Sequence, residues 1–147
     1  MMLGQLTALT GVILACGALW LRRGLLIAEV SGASMLPSYR SGDRLLAVRR
    51  RPGGPLRAGQ VILMRHPGPT VKNRWLVKRV AAVAGEPVPS DFKSDAISKE
   101  QTILPGDTVP EGHALILGDN QAHSMDSRQL GFVSLNDLVA VVTRRIN

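Results

Sequence analysis

The pattern of apolar and polar positions divides the chain into two parts of different character. Met1–Leu21 contains no charged side chain, and a helix of this length would measure about 31 Å, which matches the hydrocarbon thickness of a bilayer. Arg22 and Arg23 follow as a polar stop. We therefore predict a transmembrane anchor over residues 1–23 and a separate domain over residues 24–147.

Two other interpretations of the apolar run are less favoured. A cleaved signal peptide is expected to carry Lys or Arg before its apolar core, and this chain has neither there. The segment Ile13–Cys16 is loosely similar to a lipoprotein cleavage site. The apolar run continues past it to Leu21, so the anchor remains the preferred interpretation.

After the anchor, the pattern changes to short runs of β-branched and apolar residues that end at Gly, Pro, Asn or Asp. This pattern predicts a mostly β domain. The predicted strands are Leu25–Val30, Arg44–Arg49, Gln60–Met64, Trp75–Val83, Ala114–Leu117 and Leu138–Thr143.

Two segments between these strands are interpreted as connectors. Arg49–Pro55 is basic and rich in Pro and Gly, so no helix can run through it, and we expect a solvated loop. Pro87–Gln101 mixes Ser, Asp, Lys and Glu with little periodicity, and we expect a surface excursion. Neither segment indicates a mechanism.

The overall charge indicates an anionic partner. The formal net charge is +7, which favours contact with either a phospholipid surface or a nucleic acid. The chain has two tryptophans, two phenylalanines and one tyrosine, and no aromatic residues alternate with a basic stripe. We therefore predict a phospholipid membrane as partner and no nucleic acid. The single cysteine, Cys16, excludes an intrachain disulfide and a cysteine-based metal site.

Two residues suited to hydrolytic chemistry stand out. Ser34 lies among small residues, and a serine hydroxyl needs a neighbouring base to become a good nucleophile. In the fourth predicted strand, alternation places Lys78 on the same apolar face as Leu76 and Val80. Burial there would lower the lysine pKa from about 10.4 and suit it to act as a general base. The alternative is a half-exposed lysine whose amine reaches solvent.

A third polar segment, Gly118–Arg128, follows the fifth predicted strand and would by itself be interpreted as a turn. Taken together with the other segments, it is more specific. Ser-Met-x-Pro at residues 34–37, Gly42-Asp43, Lys78-Arg79-Val80 and then Gly118-Asp119-Asn120 occur in the order seen in type I signal peptidases. From Val30 to about Leu138, the chain resembles that family.

The resemblance implies a membrane-bound serine endopeptidase with a domain of short antiparallel strands and no cofactor. Ser34 would be the nucleophile, Lys78 the general base and Ser124 the hydroxyl that orients the lysine. The substrates would be exported precursor proteins with signal peptides, cleaved after small residues. The catalytic domain would lie on the extracytoplasmic side of the cell membrane, anchored by a single span.

The resemblance also implies supporting roles for further residues. The backbone N–H groups of Ser34 and Gly32 would stabilise the oxyanion, since this chain lacks the serine that some members carry at position 32. Met35 is a candidate for lining the substrate pocket. The residues expected to support the site structurally are Arg79, Asp119, Asp126, Arg128 and Asp43. Departures at Ser38-Tyr39, at Ala84-Gly85-Glu86 and at Phe132 indicate a divergent subgroup.

A Ser-His-Asp triad is the main alternative for activating the serine. Ser34, His123 and Asp126 satisfy its composition, but geometry decides such triads and His123 occupies a variable place in the matched segment. His66 lies in a Pro/Gly loop and His113 opens a predicted strand, so both occupy ordinary positions. No histidine pair has the spacing of zinc ligands, and we predict no metal.

The sequence leaves two rival functions open and disfavours a third. A maturation protease dedicated to one client would suit the small size and the divergent segments. A catalytically silent, membrane-anchored binding module would use the arginines alone. A soluble self-cleaving repressor is disfavoured, because an uncharged span stands where its DNA-binding domain would be.

The sidedness of the membrane involves a conflict within the sequence. Arg22 and Arg23 follow the span, and the positive-inside tendency would place the domain in the cytoplasm. The resemblance places it outside instead, since the tendency weakens for long translocated domains. An organellar inner membrane is the alternative location.

Overall fold

The structure is a computed structural model that describes residues 24–66, 75–92 and 103–146. The predicted anchor over residues 1–23 lies outside these ranges. Among the described residues, no helix has both the length and the apolar character needed to cross a bilayer.

Seven strands form one antiparallel sheet, which confirms the prediction of a mostly β domain. The order across the sheet is β1-β2-β7-β3-β4-β5-β6. The strands are β1 (Leu25–Glu29), β2 (Arg44–Arg49), β3 (Val61–Arg65), β4 (Trp75–Val83), β5 (His113–Leu117), β6 (Val133–Ser134) and β7 (Leu138–Arg145). The six predicted strands all occur, with ends that move by no more than two residues.

Two short elements were not expected from the sequence. One is the strand β6, and the other is the helix α1 (Ser127–Leu130), which follows a single 3-10 turn at Gln121–His123. The N-terminus of α1 is closed by a capping box. The Asp126 carboxylate accepts a hydrogen bond from the Arg128 backbone N–H, and the Gln129 side chain accepts one from the Asp126 backbone N–H.

The interior contains three groups of buried apolar side chains. The first group includes Met35 and Val77, which are the chain neighbours of Ser34 and Lys78, so the segments that carry these two residues pack together. The second group includes Ile62, which pairs with Lys78 across β3 and β4. β4 therefore contributes to the core on both of its faces.

The third group corrects one expectation from the sequence. Val88 and Phe92 are 2% and 4% exposed, and both belong to one core group with Ile103 and Val109. Pro87 also forms an isolated β-bridge with Thr108. The prediction of a surface excursion is therefore wrong for Val88 and Phe92, whose side chains lie in the core, while Pro87, Ser90 and Asp91 are exposed.

Candidate active site

The loop that carries Ser34 connects β1 to β2 and is closed at its base by backbone hydrogen bonds. The Val30 N–H donates to the Asp43 carbonyl at 2.8 Å, and the Gly42 N–H donates to the Val30 carbonyl at 2.9 Å. Gly42 has a φ of +92°, a conformation that glycine adopts without the penalty a side chain would add. Inside the loop, Met35 is completely buried and fixes the turn next to Ser34.

Asp43 ties this loop to the distant end of the chain. Its side chain is almost fully buried, and its carboxylate accepts hydrogen bonds from the Arg40 N–H at 2.9 Å and from the Arg145 Nη1 at 3.1 Å. Arg145 is the last residue of β7, which pairs with β2. The structural position expected for Asp43 is consistent with these contacts.

The segment after β5 binds the Ser34 loop directly. The Asn120 N–H donates to the Ser34 carbonyl at 2.9 Å, and the Asn120 side-chain amide donates to the Ala33 carbonyl at 3.1 Å. These two bonds join residues that are more than eighty positions apart in sequence. They fix the backbone of the candidate nucleophile against the Gly118–Arg128 segment.

Gly118 is the point at which three parts of the site come closest. An added Cβ at this position would lie 2.7 Å from the Ser34 carbonyl oxygen and would also collide with the side chain of Ser124. The Gly118 N–H donates to the Asp126 carboxylate at 2.9 Å. Ser34, Ser124 and Asp126 therefore converge on one glycine.

Lys78 is among the most deeply buried large side chains of the described residues, with 2% exposure. Within those residues it forms no ion pair and no hydrogen bond through its ammonium group. Burial lowers the pKa of Lys78 from 10.5, and Arg128 adds to this effect, while the charge of Asp126 acts in the opposite direction. The predicted burial of Lys78 beside Val80 is confirmed.

Asp126 stays ionised although it is completely buried. Burial alone would raise the pKa of Asp126, but hydrogen bonds from the Arg128 guanidinium and the Gly118 N–H, together with the nearby Ser124 hydroxyl, more than offset that effect, so its pKa lies below the usual value. Arg128 Nε donates to Asp126 at 2.9 Å, and Arg128 Nη2 donates to the Gln121 carbonyl at 2.6 Å. This pair closes the segment around Ser124.

The hydroxyl of Ser124 is buried and lies close to the Asp126 carboxylate. By distance and angle, however, the Ser124 Oγ forms no hydrogen bond within the described residues. A buried hydroxyl left in this state is costly, and such groups in native proteins often belong to functional sites. Within the described residues, the Ser124 hydroxyl therefore has an unused donor and an unused acceptor. It lies near Asp126 and Arg128, the two charged residues that act on the pKa of Lys78.

A second ion pair borders the site on the other side of β4. Arg79 Nε and Nη2 donate to the two carboxylate oxygens of Asp119 at 2.8 and 2.7 Å, and Arg79 Nη1 donates to the Gly59 carbonyl at 2.9 Å. Burial alone would raise the pKa of Asp119, but Arg79 and Ser38 together more than offset that effect, so its pKa lies below the usual value. The pairing expected for these two residues is present.

An open cavity of about 430 Å³ lies along this ion pair. Its walls include Arg79, Ala81, Leu117, Gly118 and Asp119. Met35 does not contribute to it, since its side chain is completely buried in the core. A role for Met35 in a substrate pocket stays a prediction that requires this side chain to become accessible.

The alternative triad with His123 does not fit the structure. His123 is exposed in the 3-10 turn, whereas Asp126 is completely buried and uses its carboxylate for Gly118 and Arg128. A triad requires a hydrogen bond between the aspartate and the histidine ring, and none joins these two residues in the described part of the chain. The candidate base is therefore Lys78.

Gly118 and Asn120 lie in one of the matched segments, but the sequence indicated no role for either residue. The structure gives Gly118 the closest approach in the site and gives Asn120 the two hydrogen bonds that hold the Ser34 loop. The only local signal for both was a small and a polar residue directly after a buried strand, which is also typical of an ordinary turn.

The comparison with known families decides the identity of this arrangement. The family described as signal peptidase, peptidase S26, matches residues 5–146. The chain belongs to this family. It is accordingly a hydrolase of the serine endopeptidase class, and the resemblance seen in the sequence is confirmed.

Individual members of the signal peptidase family are similar over most of the chain. Mitochondrial inner membrane protease subunit 1 of Schizosaccharomyces pombe is 30% identical over 123 residues, which cover 82% of this chain and 72% of that protein. Mitochondrial ATP-independent inner membrane protease subunit 1b of Arabidopsis thaliana is 36% identical over 110 residues, or 71% and 60% of the two chains. Signal peptidase I of Bacillus caldolyticus is 28% identical over 144 residues, or 79% and 76%.

Proposed function

We propose that this chain is a membrane-bound signal peptidase in which Ser34 is the nucleophile and Lys78 is the general base. The observation that carries the proposal is the burial of Lys78, which lowers its pKa, while no carboxylate among the described residues forms an ion pair with its amine. A lysine in this state exchanges protons closer to neutral pH, as a base for a serine hydroxyl must.

In the first half of the reaction, the neutral Nζ of Lys78 takes the proton of the Ser34 Oγ as that oxygen attacks the scissile carbonyl. The negative charge moves to the carbonyl oxygen, where the backbone N–H groups of Ser34 and Gly32 would stabilise it. Collapse of this intermediate breaks the C–N bond, and Lys78 returns its proton to the leaving amine. An ester between Ser34 and the signal peptide remains.

In the second half, Lys78 takes a proton from water, and the resulting hydroxide attacks the ester. The Ser34 Oγ leaves with the proton held by Lys78, so the enzyme returns to its starting state. Ser124 would orient the Lys78 amine through its buried hydroxyl. Asp126 and Arg128 would hold Ser124 in place, and Arg79 with Asp119 would support the opposite side.

The proposed substrates are precursor proteins, cleaved after small residues at the end of a signal peptide. Support comes from the family and from the relatives named signal peptidase I. Residues 1–23 would form a single transmembrane span and residues 24–147 the catalytic domain on the extracytoplasmic side. A membrane location agrees with the relatives named inner membrane proteases.

A protease dedicated to one client is the second candidate. It is favoured by the small size and the divergent segments, and some relatives are named as inner membrane protease subunits, among them subunits 1 and 2 of Schizosaccharomyces pombe. Cleavage of a panel of unrelated precursors by the full chain separates the two candidates. A general signal peptidase cleaves most of the panel, whereas a dedicated protease cleaves one member.

The decisive experiment measures precursor cleavage by the full chain in detergent as a function of pH. We expect Ser34→Ala and Lys78→Ala each to lose at least about a thousandfold in kcat/KM, in line with the loss of a nucleophile or its base. The activity of the parent should rise with pH through a pKa that lies below 10.5.

His123→Ala is the matched control, since His123 lies in the same segment but is exposed. It should keep the cleavage rate and the pH profile of the parent. Loss of turnover with His123→Ala and not with Lys78→Ala would reject the dyad. Full cleavage by every variant would reject both assigned residues, whereas no cleavage by the parent would favour a binding module.

A further inference from the structure

One end of the sheet concentrates positive charge outside the candidate active site. β1 begins at Leu25, which pairs with Val48 near the end of β2, and β3 ends at Arg65 beside the start of β7. Arg49, Arg50 and Arg65 therefore lie at the same end of the sheet as the start of β1. We call this end of the sheet, defined by these three arginines, the arginine end.

The arginine end forms a groove of about 250 Å³. Its lining includes Arg49, Arg50, Arg65 and, from the β6–β7 turn, Asn136. Leu135 and Leu138 provide its apolar wall. Guanidinium groups beside a neutral amide form a surface that suits an anion with several acceptor oxygens.

The charge of this groove is not neutralised from within the described chain. Inside residues 24–66, 75–92 and 103–146, no ion pair joins Arg49, Arg50 or Arg65 to a carboxylate. The neighbouring Asp137 offers its backbone carbonyl to the Arg65 N–H at 2.9 Å, and its carboxylate pairs with none of the three.

Arg50 supplies a second observation. Its Nη2 donates to the Gly54 carbonyl at 2.7 Å, which fixes the guanidinium against the basic loop. Its Nε is buried and has no hydrogen-bond partner within the described residues. The guanidinium is therefore ordered before a ligand arrives, so little conformational entropy is lost on binding.

The position of the groove along the chain identifies the source of the anion. The apolar run ends at Leu21, and β1 begins at Leu25. Four residues span at most about 14 Å, so the start of β1 lies within that distance of the end of the run. The described chain enters the sheet at the arginine end, so a span that ends at Leu21 would be joined to the sheet there.

We propose that the groove at the arginine end binds the phosphate of an anionic phospholipid headgroup. This inference rests on the membrane anchor of the proposed function and adds a site to it. Arginines placed near an anionic membrane surface each strengthen binding severalfold, and a guanidinium can hold a phosphate through two parallel hydrogen bonds. The bound lipid would fix the sheet relative to the membrane.

The test uses the full chain in neutral detergent and measures lipid retention by native mass spectrometry. The probes are phosphatidylglycerol and phosphatidylcholine with the same acyl chains, and inorganic phosphate as a competitor. We expect phosphatidylglycerol to bind at least about tenfold more tightly than phosphatidylcholine. Arg49→Gln combined with Arg65→Gln should abolish this preference; Arg50 is left intact because it also holds the Gly54 loop.

The matched control combines Arg44→Gln with Arg144→Gln. Both residues are exposed and lie at the opposite end of the sheet, and the double variant loses the same charge. We expect it to keep the preference. If both double variants lose the preference for phosphatidylglycerol equally, the preference depends on net charge alone and the proposed site is overturned. A parent without any preference would also overturn it. Displacement by inorganic phosphate at the lipid's own concentration would also overturn the assignment to a lipid.

The readout needs no substrate, so the two proposals fail separately. An inactive enzyme that retains phosphatidylglycerol would contradict only the proposed peptidase. An active enzyme without lipid preference would contradict only the groove.

Discussion

At the scale of single residues, Gly118 limits how closely the parts of the site can pack. Its missing side chain leaves room for the Ser34 carbonyl and for Ser124, while its N–H is used by Asp126. A methyl group at this position has no free space. The position therefore requires glycine because of a close approach, and its φ is not among the positive ones.

Gly118→Ala should both destabilise the fold and slow the reaction. Overpacking of a filled site costs about 1–3 kcal/mol in the free energy of unfolding, and a displacement of about 1 Å at the nucleophile can reduce turnover about a hundredfold. Gly24→Ala is the control, because its added Cβ meets nothing within 4 Å. Denaturant unfolding and kcat/KM of both variants check the prediction. Equal behaviour of the two would show that position 118 tolerates a side chain.

At the scale of elements, α1 is a helix of four residues whose start is also part of the site. Asp126 caps it, binds the Gly118 N–H and pairs with Arg128, so one carboxylate joins α1 to the end of β5. The same charge raises the pKa of Lys78 and partly opposes the effect of burial. The cap of α1 thereby influences the proton affinity of a residue on β4.

Asp126→Asn should shift the pH dependence of cleavage to lower pH. Asparagine keeps the size and the capping ability, but it removes the negative charge and leaves the positive charge of Arg128 unbalanced, and both changes lower the pKa of Lys78 further. Loss of one partner from a buried pair should also cost about 3 kcal/mol of stability. The measurement is the pH profile of kcat/KM.

Asp119→Asn is the control for this shift. Asp119 pairs with Arg79 and is not among the charges that act on Lys78. Its removal should leave the midpoint of the pH profile where the parent has it. A midpoint for Asp126→Asn that stays in place or moves to higher pH would contradict the assigned coupling.

The elements differ in how well the sequence predicts them, and the differences have physical causes. β2 and β4 were predicted with their observed ends, because alternation and flanking turn residues mark them clearly. β6 has only two residues and α1 only four, so neither has a periodicity to detect. The third core group was missed because Val88, Phe92 and their partners are separated by polar residues.

At the scale of the whole molecule, the candidate site was predicted as residues but not as geometry. The resemblance identified Ser34, Lys78 and Ser124 from short matched segments. It could not reveal that Asn120 binds the Ser34 loop or that an open cavity follows the Arg79–Asp119 pair. Such contacts depend on how the sheet brings distant segments together, which local patterns do not encode.

Because the pKa of Lys78 is lowered in the folded state, the free energy of unfolding should rise with pH in the alkaline range. The folded-state pKa is lowered from 10.5, so the unfolded chain binds more protons between the two values. The free energy of unfolding should therefore increase with pH over that window, by up to about 1.4 kcal/mol per pH unit, until both states are neutral above 10.5.

Lys78→Met isolates this contribution, since methionine is apolar and flexible enough to occupy the site. Denaturant unfolding of parent and variant in detergent at pH 8, 9 and 10 gives a difference in which the other titrating groups cancel. The variant should be at least as stable as the parent at pH 8, and its advantage should shrink as the pH rises. A difference that stays constant with pH would contradict the lowered pKa.

The hydrogen bonds from Asn120 to the Ser34 loop also bear on when the enzyme becomes active during its own synthesis. Ser34 and Lys78, the proposed nucleophile and base, emerge from the ribosome before the Gly118–Arg128 segment, which holds the Ser34 loop through Asn120. A partly made chain therefore carries both reactive groups without the contacts that align them. On the proposed mechanism, synthesis of the Gly118–Arg128 segment would be the step that completes the site.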